Sequence, residues 1–188
     1  MNLQIISDEI NSCTACALHK TPGKHVPGTG NPKPDLVILG EAPGADEAEQ
    51  GLPFVGRSGQ LLTNMIKSID LTRNDVFILN VVKCRPPGNR KPLPGEVLAC
   101  SGFLDRQLEE LMPRAILALG ASAIEAICGS GLGITRRRGK WEDYRGIPVM
   151  PTFHPAFLLR TPKQKEVVWY DMQSVRKFLI TGEKENGI

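Results

Sequence analysis

No stretch of this 188-residue chain approaches the roughly 18 uninterrupted apolar residues that a membrane-spanning helix requires. The opening segment "MNLQIISDEINSC" has neither the basic stretch nor the apolar core of a secretory signal, so a cytoplasmic protein without a membrane partner is expected. Strong charge of one sign is also missing. The formal net charge of +3 does not by itself announce a polyanionic partner. No internal repeat or low-complexity tract is visible, and the length suits a single domain over residues 1–188 with a substantial core.

The charge that is present is unevenly placed. Basic residues gather in "KCRPPGNRK" (83–91) and "RRRGK" (136–140), both broken by glycine or proline and therefore loop-like, where cations can be presented to phosphates. Between such breaks, four apolar runs predict strands: "DLVILG" (35–40), "DVFILNVVK" (75–83), "RAILALG" (114–120) and "IPVMPTF" (147–153). Segments 58–70, 95–112, 122–129 and 165–180 carry apolar residues at three- and four-residue spacing and predict helices. Strands alternating with helices imply an α/β fold of three layers, αβα, around a mainly parallel four-stranded sheet.

Open sheets of this kind bind ligands in the crevice beyond the carboxyl ends of their strands. That rule selects Glu41, which follows the first strand, Asn80, late in the second, and His154, directly after the last. All three are expected to converge on one crevice.

Cysteine is sparse, with five in the chain. Cys13 and Cys16 form a C-x-x-C pair, Cys84 ends the second strand in a proline-rich turn, and Cys100 lies in the following helix. In a cytoplasmic protein such a set points to a metal centre rather than to disulfides. Four thiolates suit structural zinc or an iron–sulfur cluster equally, and spacing does not choose between them. Cys128 stands apart in an apolar helix as a small core residue.

Taken in order, "CTAC", "GEAPGADEAEQGLPFVGRSGQLL", "NVVKCRPPGNRKPLPGE", "LGASA", "RGKW" and "HPAFLLR" resemble the type-4 uracil-DNA glycosylases, over nearly the whole chain. The resemblance implies that Cys13, Cys16, Cys84 and Cys100 hold a 4Fe-4S cluster with a structural role. It also implies that the chain, as a monomer, excises uracil from single- or double-stranded DNA, releasing free uracil and leaving an abasic site.

The residues make chemical sense for that reaction. A flipped base must be held by its faces and its edge. Phe54 offers a stacking surface, and Gly40, Pro43 and Gly44, in the substrate-binding stretch that also holds Ala42, let backbone N–H groups come close to the base oxygens. The Asn80 carboxamide matches the acceptor O4 and donor N3–H of uracil, a pattern that cytosine reverses, provided its surroundings hold the amide in one orientation. His154 donates to the oxyanion developing at O2, with Pro155 fixing its turn, and Glu41 orients the attacking water and offsets the cationic sugar.

Family resemblance adds that Glu47 crowds the C5 position of thymine. Arg57, Lys83, Arg85 and Arg160 are expected at phosphates, and Phe157, Leu158 or Leu159 as the wedge that fills the gap left by the flipped nucleotide. Ala42 departs from the glycine that many relatives carry after the glutamate. A non-catalytic iron–sulfur DNA-binding or redox-sensing protein is the alternative. A glycosylase trapped covalently through a histidine in a basic loop is disfavoured, because "RPPGNRKPLPGE" contains none.

Overall fold

A computed structural model describes residues 2–187. The four apolar runs form the middle of one sheet as β2 (Leu36–Gly40), β3 (Phe77–Asn80), β4 (Ala115–Leu119) and β6 (Ile147–Thr152). All of β2, β3 and β4 is buried, as strands covered on both faces must be. The sheet has six strands rather than the four expected. β1 (Thr29–Gly30) and β5 (Glu142–Tyr144) add antiparallel edges, giving the order β1-β3-β2-β4-β6-β5. Two residues in one case and two acids followed by a tyrosine in the other carry no apolar alternation, so neither edge was visible in the sequence.

Alternation along β2 sorts the layers. Leu36 and Ile38 pack with Leu62 and Ile66 of α3 (Arg57–Lys67), Leu158 of α7 (Pro155–Arg160), and Val168, Met172 and Val175 of α8 (Lys165–Thr181). Val37 and Leu39 face the other way, onto Leu104 and Leu108 of α4 (Pro94–Leu111) and Ala123 and Ile124 of α5 (Ala121–Cys128). The expected αβα sandwich results. Helix α1 (Leu3–Asn11) packs on α4, and short helices α2 (Ala45–Gln50) and α6 (Ile134–Arg137) lie in the connections.

From β2 the chain moves to β3 on one side and then crosses to β4 on the other, and the connecting helices α3 and α4 cover opposite faces. That reversal is the topological switch point, where the crevice of a doubly wound sheet opens. Among the described residues, no helix is long and apolar enough to cross a membrane.

Candidate active site

A cavity of about 580 Å³ opens at the carboxyl ends of β2, β3, β4 and β6. Glu41, Asn80 and His154 all line it, together with Ala42, Pro43, Gly44, Glu47, Phe54 and Arg160, so the strand-end rule brings the candidate triad together. The register explains the closeness of the first two: Gly40 and Asn80 are paired neighbours at the ends of β2 and β3.

Asn80 is 1% exposed, and its Oδ1 is buried with no hydrogen-bond partner among the described residues. Such an orphan acceptor is rare in a folded protein, and it is left available to a donor from a bound molecule. The Asn80 carbonyl oxygen, by contrast, accepts from Lys83 Nζ at 2.6 Å.

Phe54 both lines this cavity and belongs to the core cluster, with its ring against Gly40 and its centroid 5.6 Å from that of His154. Its backbone is left-handed, φ 53°, an uncommon conformation for a bulky residue. Arg73 holds it there, donating to the Pro53 oxygen at 2.8 Å and to the Phe54 oxygen at 3.2 Å. Sequence reasoning passed over Arg73, whose carbonyl acceptors nothing in the linear pattern announces.

His154 caps α7, its Nδ1 accepting from the Ala156 N–H at 3.1 Å. In the neutral ring the proton therefore resides on Nε2, which makes that nitrogen a donor. Burial, aided by the charge of Arg160, pushes the imidazole down to about 4, so the ring is neutral at physiological pH. Gly120, φ 88°, lets β4 come against it: a Cβ there would lie 3.2 Å from that of His154.

Several expected roles need correction. Lys83 is 1% exposed and walled in, so it is not a phosphate contact. Burial pushes its ammonium down to about 8, countered by the charge of Cys100. Leu158 is 1% exposed in the core and cannot serve as a wedge as it stands, and Phe157 stacks on Phe153 at 4.8 Å, leaving Leu159, 39% exposed. In "RRRGK", Arg137 is bound by both oxygens of Glu142 and Arg138 by Asp171, so only Arg136 of the three arginines stays exposed without a partner among the described residues. Glu47 keeps its expected place in the cavity lining, and its Oε1 accepts from the Gly56 N–H at 3.5 Å, joining α2 to the Phe54 loop. Arg57 is exposed beside the lining residue Ser58, and Arg85 donates to Asn89 Oδ1 at 2.7 Å at the rim. Pro86, Asn89, Arg90 and Ser122, not singled out in the sequence, also line the cavity.

Cys13, Cys16, Cys84 and Cys100 line a second, separate cavity with His19, His25 and Lys83. All four are free and half-buried. Burial pushes the Cys84 thiol up to about 12, and the neighbouring Cys100, Cys16 and Cys13 add to the shift; the Cys100 thiol is raised by burial as well. Among the described residues, no three of His, Cys, Asp and Glu form a group able to hold a single metal ion. Cys128 lies outside this set and donates to the Asp143 oxygen at 3.4 Å, its thiol pushed up to about 11 by burial.

Residues 27–173 match the family model of the Uracil DNA glycosylase superfamily. Over 181 residues, 94% of each chain, the protein is 42% identical to the type-4 uracil-DNA glycosylase of Thermotoga maritima. It is 43% identical to that of Sulfurisphaera tokodaii over 193 residues, 97% of this chain and 87% of the relative. With the Archaeoglobus fulgidus type-4 enzyme it shares 42% identity over 192 residues, covering 98% of this chain and 96% of the other.

Proposed function

Because the chain belongs to the uracil-DNA glycosylase superfamily and to its type-4 branch, we propose that the cavity at the strand ends is where it hydrolyses the N-glycosidic bond of deoxyuridine in DNA. The observation that carries the assignment is the buried, unpartnered Oδ1 of Asn80 beside a neutral His154.

Oδ1 accepts N3–H of a flipped uracil, and the amide N–H₂ donates to O4. Cytosine presents a lone pair at N3 and an amine at C4, which would leave the same buried oxygen without a donor, and unmatched buried groups are what make such discrimination steep. The Phe54 ring forms one wall against the base. As the bond from N1 to C1′ of the sugar breaks, negative charge gathers on O2, and His154 Nε2–H donates to it without transferring its proton. Glu41 holds the water that adds to C1′ and takes its proton. The products are free uracil and an abasic sugar.

The four-cysteine cavity supplies the thiolate set that a 4Fe-4S cluster takes, the cofactor that the family resemblance implies. Cys84 and Cys100, both raised by burial with the neighbouring cysteines adding to the shift, share one cavity with Cys13 and Cys16, and four thiols brought together in this way support a polynuclear centre. The ammonium of Lys83 on the same wall has no carboxylate partner among the described residues, and a buried cation needs an anion nearby. Cys13, Cys16, Cys84 and Cys100 would hold the cluster, which would tie the N-terminal segment, the loop after β3 and α4 into one unit.

Release of uracil from a uracil-containing oligonucleotide, under multiple turnover, tests the reading. The wild type is expected to turn over; His154→Ala is expected to lose about 10²–10³-fold in rate, as loss of an oxyanion donor does, with Glu41→Ala and Asn80→Ala also collapsing. Tight binding of the oligonucleotide with no uracil released would favour the non-catalytic alternative instead.

A further inference from the structure

Two histidines stand on the wall of the four-cysteine cavity, and the proposed reaction uses neither. His19, in the turn Ala17–Lys20, directs Nδ1 to the Cys16 carbonyl oxygen at 2.6 Å. A carbonyl only accepts, so Nδ1 carries the proton and the neutral ring presents a bare Nε2.

His25 differs. It sits in the segment between that turn and β1, pinned on both sides: the Lys24 N–H donates to the Ala48 oxygen at 2.6 Å and the Val26 N–H to the Lys83 oxygen at 2.7 Å. Its ring thus has a fixed station beside the loop after β3 that bears Cys84. Its Nε2 is buried and meets no hydrogen-bond partner among the described residues. Buried ring nitrogens rarely stay unpaired, and the cavity whose wall this ring shares is lined by all four thiols.

We propose that His25 donates a hydrogen bond from Nε2 to a sulfur of the cluster held by Cys13, Cys16, Cys84 and Cys100. This rests on the cluster reading above. The direction follows from charge: thiolate and sulfide sulfurs are anionic acceptors, so a lone pair on Nε2 facing them is repelled and the Nε2–H tautomer is favoured. Lys83, on the same wall, donates from Nζ to the Asn80 carbonyl and leaves His25 Nε2 unpartnered among the described residues. Hydrogen bonds to cluster sulfurs stabilise them as ligands, and outer-sphere partners of a metal site typically matter 10- to 100-fold.

The test compares iron-loaded wild type with His25→Ala and His25→Gln, purified without oxygen. Gln keeps an N–H at similar reach. Iron and sulfide per chain are measured first, then the decay of the cluster's visible absorbance in a strong iron chelator. His25→Ala is expected to lose its cluster about tenfold faster than wild type or more, with an unchanged far-ultraviolet circular dichroism spectrum, and His25→Gln to stay close to wild type. A His25→Ala protein that takes up no iron while His25→Gln loads fully supports the proposal equally. Equal decay in wild type and His25→Ala overturns it. So does equal acceleration, or equal failure to load, in both variants, because then the shape of the ring matters and not its N–H. Wild type that carries zinc without sulfide is a separate result, which removes the cluster reading and the proposal with it.

Discussion

At Gly40 the base pocket has no room for a methyl group. A Cβ there would stand 2.7 Å from Cε2 and Cζ of Phe54 and overlap Asn80 Oδ1. Gly40→Ala must therefore push the ring and the carboxamide apart, the two groups assigned to the face and edge of the base. A misplacement of about 1 Å costs on the order of 100-fold in rate, and overpacking destabilises by about 1–3 kcal/mol. Steady-state kinetics and denaturant unfolding of the same protein separate the two effects. An active Gly40→Ala enzyme with unchanged kcat/KM would show that the pocket tolerates what its geometry forbids.

His154 gives the residue scale a pH dependence. Its folded pKa is depressed, from an ordinary 6.5 to about 4, because burial disfavours the imidazolium. The unfolded chain then binds a proton that the folded chain refuses throughout that interval. Stability rises with pH wherever the unfolded state holds more protons, so the His154 contribution is fully present above about pH 6.5 and is lost as pH falls toward about 4. Protonation would also put a hydrogen on Nδ1, opposite the Ala156 N–H that it now accepts. Thermal melts from pH 7 to pH 4 are expected to fall less steeply for His154→Gln than for wild type; parallel curves would contradict the buried, neutral ring.

Among the elements, α4 links the two cavities. Its Glu96 accepts from the Leu93 N–H at 2.7 Å at the start of the helix and from both guanidinium nitrogens of Arg90, at 2.7 and 2.8 Å. Arg90 lines the reaction cavity, and Cys100 lies one turn further along the helix. Arg90 holds the Glu96 carboxyl below the usual carboxylate range, so the pair is intact at neutral pH. Glu96→Ala removes a helix cap and frees Arg90, an expected loss of about 1–2 kcal/mol. Chemical denaturation measures it; a change within error would mean that solvent replaces the carboxylate.

The elements also show what the sequence could reveal. Apolar runs such as "VILG" mark buried parallel strands because strands covered on both faces bury consecutive side chains and runs this short between breakers leave no room for a helix, and from the strand ends came Glu41, Asn80 and His154. Edges β1 and β5 were hidden because pairing on one side needs little apolar pattern. Lys83 was misplaced for a different reason: a charged letter carries no record of its burial, and only the packed strand end shows the ammonium turned inward to the Asn80 oxygen. Leu158 was misread likewise, since helical spacing in "PAFLLR" does not reveal which leucine meets α3 and which meets solvent.

For the molecule as a whole, a net charge of +3 understates how the cations are used. Arg106, Arg114, Arg137, Arg138, Arg145 and Arg176 are each matched to a carboxylate. Arg160 lines the cavity, is exposed, and has no ion pair among the described residues. An unmatched guanidinium lining the proposed nucleotide pocket is expected to meet a phosphate, and each phosphate met releases condensed counterions. The logarithm of the binding constant then falls with the logarithm of salt by about 0.9 per contact on duplex and about 0.7 on single strands. In a Glu41→Ala background, where uracil should stay attached, Arg160→Ala is expected to weaken binding and to flatten that slope by about one contact. Arg136→Ala, an exposed arginine outside the cavity lining, is expected to leave it unchanged. Fluorescence anisotropy at several salt concentrations gives both slopes. A parallel shift in Arg160→Ala would mean that Arg160 shapes the pocket without touching a phosphate, and equal flattening in both variants would mean that long-range field, and not contact at the mouth, draws the DNA in.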